Sequence, residues 1–156
     1  MNFLRLVNAI SFVATAVVTL VMFDGCARPS TPEQQVRALI DAAEHAAQAR
    51  DVSALLGLVS EQYADERGDD KAALRNVVRG YFLVNQSIHL LLRVEDARFP
   101  ADGLAQVRVT VGMLGSRASN DWSLAADVYK FDVELRREGS SWRLTRAAWR
   151  SLRHDS

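Results

Sequence analysis

Only one of the 156 residues is a cysteine, Cys26, so no disulfide can form within the chain. An excess of either charge is also missing, because 19 Lys and Arg face 19 Asp and Glu. Arg5 and Asp24 cancel each other, so the balance survives removal of the first 25 residues. A protein that grips nucleic acid or acidic lipid headgroups carries a basic surplus, and neither partner is expected here. His45, His89 and His154 fall on separate segments, which leaves no clustered ligand set for a metal. No Gly-x-Ser-x-Gly elbow and no glycine-rich phosphate loop occurs. No metal or cofactor is expected.

A long hydrophobic run is lacking too. The longest, Ala9 to Phe23, has about 15 residues, whereas an unassisted membrane span needs ~20 at 1.5 Å per residue. It follows a short segment, Met1 to Leu6, whose one charge is Arg5. This arrangement reads as a signal peptide over residues 1–25, with a short membrane helix as the alternative. Phe23-Asp24-Gly25-Cys26 then resembles a bacterial lipoprotein signal, with Gly25 at the small position before the cysteine. Phe23 and Asp24 depart from the aliphatic and small residues of that motif. The resemblance implies a lipid on Cys26, and Ala27 after it resembles the pattern sorted to the outer membrane. An ordinary secretory signal with an unpaired cysteine is the other reading.

Residues 26–32 form a polar tether, and one domain is expected over 33–152. Thr31-Pro32-Glu33-Gln34 is a helix start, with a capping hydroxyl, Pro at the first helical position and Gln three residues after the cap. Val36, Leu39, Ile40, Ala43 and Ala47 recur at helical spacing from about 33 to 50. Asp51 or Ser53 caps a shorter helix carrying Leu55, Leu56, Leu58 and Val59. Asp70 caps a third over about 71–85, in which Gly80 suggests close packing against a neighbour.

After Ser87 the period changes to 2. Ile88, Leu90, Leu92 and Val94 alternate with His89, Leu91, Arg93 and Glu95. Val107, Val109, Val111 and Met113 form a second such series, and Tyr129, Phe131, Val133 and Leu135 a third. A last strand runs from Ser141 to Arg150 with Trp142, Leu144 and Trp149. Turns are read at 100–103 and 138–140, and a loop from Gly115 to Leu124. Alternation with a charged outer face predicts an antiparallel sheet buried on one side. The fold class is therefore α+β, with N-terminal helices packed in a curved antiparallel sheet.

Three features carry a family resemblance: the helix Val36 to Ala49 running into Arg50-Asp51-Val52-Ser53-Ala54-Leu55-Leu56, the third helix through Tyr81-Phe82, and the pairing of 128–137 with 141–150. Together they resemble the nuclear transport factor 2-like superfamily, which includes ketosteroid isomerases and SnoaL-like polyketide cyclases. More narrowly, Arg79-Gly80-Tyr81-Phe82, Gln86-Ser87-Ile88-His89-Leu90-Leu91 and Phe131-Asp132-Val133-Glu134-Leu135-Arg136-Arg137 resemble uncharacterised proteobacterial lipoproteins of that superfamily. The resemblance implies a cone whose mouth accepts a small ligand.

Polar groups able to face such a cone are few. Asp127 shares parity with Tyr129, Phe131 and Val133, and a carboxylate on an inner face must be bonded, paired or neutral. It is a candidate proton carrier, unless it precedes the strand and only caps the loop. His89 is a second candidate, although its parity puts it on the outer face. Tyr63, Tyr81, Asp127 and Tyr129 are the pocket candidates, against readings of Tyr63 as a loop anchor and Tyr81 as part of the helix stripe. Trp122, Trp142 and Trp149 offer an aromatic surface, with Trp142 more simply core and Trp122 simply loop. The ketosteroid isomerase trio of an Asp base, a Tyr and a protonated Asp finds no residue-by-residue match in this chain.

The expected function is thus non-catalytic. A lipid-anchored protein of the cell envelope, at the outer membrane facing the periplasm, holds a small hydrophobic ligand or an envelope protein. Alternatives are a cofactor-free isomerase, cyclase or hydrolase of a hydrophobic substrate using Asp127 or His89, and an envelope assembly module. A homodimer is compatible with each.

Overall fold

A computed structural model describes residues 31–117 and 125–152. The signal segment, Cys26, most of the tether, Trp122 and His154 lie outside the described residues. Three helices precede four strands: α1 (Pro32–Gln48), α2 (Val52–Gly57), α3 (Lys71–Val84), β1 (Asn85–Ala101), β2 (Leu104–Arg117), β3 (Ala125–Glu138) and β4 (Ser141–Ser151).

Each helix begins where a side chain satisfies its free amides. Thr31 and Gln34 exchange both bonds of a capping box, each 3.3 Å, at the start of α1. The Asp51 carboxylate accepts from the Ala54 amide at 2.9 Å, and Asp70 from Ala73 at 2.8 Å. Gly80 was expected at a close approach, yet nothing lies within 4 Å of where its Cβ would stand. It sits on the exposed side of α3 and supports no packing.

The strands form one curved antiparallel meander in the order β1-β2-β3-β4. β2 continues to Arg117, beyond the expected loop start at Gly115. Asp127 lies within β3 opposite Met113, so it does not merely cap a loop. Gly103 and Gly139 turn the two tight hairpins with φ of +70° and +62°, which only glycine adopts freely.

Two bulges decide which residues face inward. Glu134 pairs with Arg146 but Leu135 with Leu144, so Thr145 is an extra residue in β4. Trp142 and Leu144 before it, and Ala147 and Trp149 after it, therefore share the inner face. Glu95 is the extra residue in β1, between the pairs Val94–Val109 and Asp96–Arg108. It moves Phe99 onto the inner face, where it packs with the core.

The core fills one end of the sheet. Val36 and Ile40 of α1 pack against Ala105, Val107, Leu135 and Trp142. A fully buried Val, Leu or Ile contributes about 1.5–3 kcal/mol. Trp142 satisfies its indole N–H on Gln35 at 2.9 Å and meets Phe99 edge to face at 6.2 Å.

Candidate functional site

Toward the other end of the sheet the space between helices and strands is not filled. A cavity of ≈ 620 Å³ lies there. Leu39, Ala43 and Ala47 of α1 and Leu74, Val78 and Tyr81 of α3 form its helical side. Leu90, Leu92, Val111 and Met113 face them from β1 and β2. Tyr129, Phe131 and Trp149 complete the wall as an aromatic row: Tyr129 and Phe131 have centroids 6.3 Å apart, and Phe131 stacks on Trp149 at 6.2 Å and 28°.

One border of the cavity is polar, built by the loop between α2 and α3. This loop is fastened to β4 through Ser60 N–H to Leu144 O at 2.9 Å, Leu144 N–H to Leu58 O at 3.0 Å and Ala64 N–H to Thr145 O at 3.1 Å. Asp65 organises the rest. It is 4% exposed, and its Oδ1 accepts from the Arg67 and Asp69 amides, both at 2.8 Å. Gly68, with φ of +87°, completes the reversal. Tyr63, Asp65, Arg67 and Asp69 all line the cavity, and the exposure of Arg67 and Asp69 marks where it meets solvent.

Tyr63 is 3% exposed, and burial together with the Asp65 and Asp69 charges pushes its phenol up to about 12. It is therefore a neutral hydrogen-bond donor at any physiological pH. The Arg67 guanidinium stands 5.3 Å from the Trp149 ring centroid, a cation–π contact at the edge of the aromatic row.

Tyr63, Tyr81 and Tyr129 thus line one cavity, whereas Asp127 and His89 do not. Asp127 keeps the inner parity but lies beyond the lining residues, half-buried. His89 is exposed and paired across from Leu114. Among the described residues no group of three or more His, Cys, Asp or Glu is placed to hold a metal. Asp65 and Arg67 were not singled out by the sequence as cavity residues, whereas Trp149 was offered as part of an aromatic surface and does line the cavity. The available signal was an Asp with a Gly three positions on, inside a polar stretch, which marks a side-chain-organised turn.

The convex face is a field of paired charges. Arg108 and Asp132 are cross-strand partners at 2.7 Å, and Glu95 takes hydrogen bonds from Thr110 at 2.6 Å and Lys130 at 3.1 Å. A shallower groove of ≈ 300 Å³ on that face is lined mainly by such charged residues.

No family model matches the sequence, and no curated protein matches it. The fold does have solved counterparts. A protein described as a scytalone dehydratase from Novosphingobium aromaticivorans superposes with a TM-score of 0.69 at 11% identity, covering 78% of this chain and 84% of that one. A protein described as a dehydratase of the nuclear transport factor 2-like family, from Streptomyces avermitilis, gives 0.66 at 15% identity, covering 78% and 97%. A ketosteroid isomerase-like protein from Erwinia carotovora gives 0.63 at 14%, covering 79% and 99%. The chain has the nuclear transport factor 2-like fold, a helix set packed in a curved antiparallel sheet.

Proposed function

We propose that this chain is an exported envelope protein, tethered by a lipid on Cys26, that holds a small apolar molecule in the cavity without transforming it. The observation that carries the reading is the ≈ 620 Å³ cavity with aliphatic and aromatic walls on three sides. Its size falls within the roughly 300–1,000 Å³ of small-molecule sites, and such sites combine apolar walls with a few placed polar groups. The aromatic row supplies the walls, and the Tyr63–Asp69 loop supplies the polar groups.

The test is native mass spectrometry of the full chain purified from its own envelope, compared with Val111→Trp. An additional small-molecule mass on the native chain, absent from the variant, supports the reading. A ligand-free native chain that also takes up no added apolar compound refutes it. The mass of the mature N-terminus decides the anchor, since a free Cys26 thiol is incompatible with it.

A second reading, a cofactor-free isomerase, cyclase or hydrolase, draws on Tyr63. The Tyr63 phenol, kept protonated by burial and lining the cavity, is able to donate to a developing oxyanion. That reading requires turnover of the captured ligand that Tyr63→Phe abolishes while capture persists.

A further inference from the structure

We infer that the occupant of the cavity is a monocarboxylate with an apolar body, its head held by Arg67 and its body laid along Trp149, Phe131 and Tyr129. The inference rests on the binding reading above and names the ligand class for that same cavity.

The placement of Arg67 is built. Asp65 fixes the backbone on both sides of it through the Arg67 and Asp69 amides, and the side chain then lies against Trp149. Several arginines of the sheet pair with carboxylates, Arg108 with Asp132 at 2.7 Å, Arg98 with Asp96 at 2.8 Å and Arg136 with Glu134 at 3.2 Å, but none of these three lines the apolar cavity. Arg67 makes no ion pair with any described residue, and its guanidinium stands over the Trp149 ring. Stacking occupies a face of the guanidinium and leaves its edge donors, whose fork matches a carboxylate.

The neighbouring charges set the number of negative charges the site accepts. Asp65 is buried with its Oδ1 committed to two amides, and its charge, which also raises the Tyr63 phenol, weighs against accumulating negative charge on this border. Asp69 is exposed at the cavity border and opposes a second negative charge on the ligand. One unit of charge is therefore favoured over two. Tyr63, whose hydroxyl makes no hydrogen bond to a described residue and is not sealed from the cavity, adds a neutral donor on the same border.

The experiment uses the full chain loaded with Nile red, an uncharged apolar probe, and displaces it with dodecanoate, dodecanol and dodecylammonium. Dodecanoate is expected to displace the dye at about tenfold lower concentration than dodecanol, the equivalent of one charge-assisted hydrogen bond. Dodecylammonium is expected to be the weakest. Arg67→Met removes the preference and keeps dye uptake, while Arg67→Lys retains charge without the fork and gives an intermediate preference. Equal displacement by all three compounds, or an unchanged preference in Arg67→Met, overturns the inference while leaving apolar binding intact. Failure of the native chain to take up Nile red saturably removes the binding reading and the inference together.

Discussion

Phe99 and Trp142, 43 positions apart in the chain, meet edge to face at 6.2 Å and 77° and close off the filled end of the sheet. Neither borders the cavity. The concave face is therefore divided, with a packed half that holds the fold and a hollow half free to hold something else. Phe99 is only partly buried, so Phe99→Ala should cost less than the about 3–5 kcal/mol of a fully buried Phe. Phe99→Leu should cost less and leave apolar dye uptake unchanged. Urea unfolding paired with dye titration separates the two effects, and loss of uptake in a folded Phe99→Leu chain would contradict the division.

Arg50 ties the helical layer to the sheet. With φ of +56° it ends α1, and its guanidinium donates to the Phe82 carbonyl and, at 3.2 Å, to the Gln86 carbonyl, spanning the junction where α3 becomes β1. Arg50→Ala should destabilise by about 1.5–3 kcal/mol through the lost charged hydrogen bonds. Arg50→Gly relieves the positive φ and should lose less. Equal denaturation midpoints for wild type and Arg50→Ala would show that the junction does not depend on this contact.

At alkaline pH, Tyr63 governs a stability loss. Its folded value of about 12 exceeds the ordinary 10, so the phenol loses its proton more readily in the unfolded chain. Stability from this group is complete below pH 10 and declines as pH rises toward 12. Relative to Tyr63→Phe, wild type should lose stability across that window, and the difference titration of tyrosinate absorbance should have its midpoint near 12. A midpoint near 10 would place the hydroxyl in water rather than in a buried site.

At acid pH the convex face responds. Hydrogen bonds from Thr110 and then Lys130 hold the Glu95 carboxyl below its ordinary 4.5. A depressed value means the contribution is present above 4.5 and lost as pH falls through the folded value. Any stability advantage of wild type over Glu95→Gln should therefore shrink as pH drops below 4.5, and should be smaller in high salt. A difference that is independent of pH would mean that the Glu95 charge contributes nothing.

The architecture was legible because period and capping agree. Thr31, Asp51 and Asp70 mark the helix starts, and Ile88 to Val94, Val107 to Met113 and Tyr129 to Leu135 carry unbroken alternation. What escaped lies past the two bulges. A parity count carried through Glu95 puts Phe99 on the wrong face, and one carried through Thr145 separates Trp149 from Trp142. An extra residue in a ladder leaves no periodic trace, because the partner strand decides where it falls. Tyr63, Tyr81 and Tyr129 come to one cavity from a loop, a helix and a strand, and Asp127 lies outside its lining. Arg67 was hidden for a different reason: its place is set by hydrogen bonds to Asp65 inside a polar loop, where hydrophobic pattern says nothing.

The most direct test is a Nile red titration of the full chain beside Val111→Trp, which places an indole in the hollow between the sheet and the helices. The account predicts saturable uptake at one site per native chain and its loss in a variant that remains folded. Undiminished uptake in folded Val111→Trp, or no saturable uptake by the native chain, would contradict it.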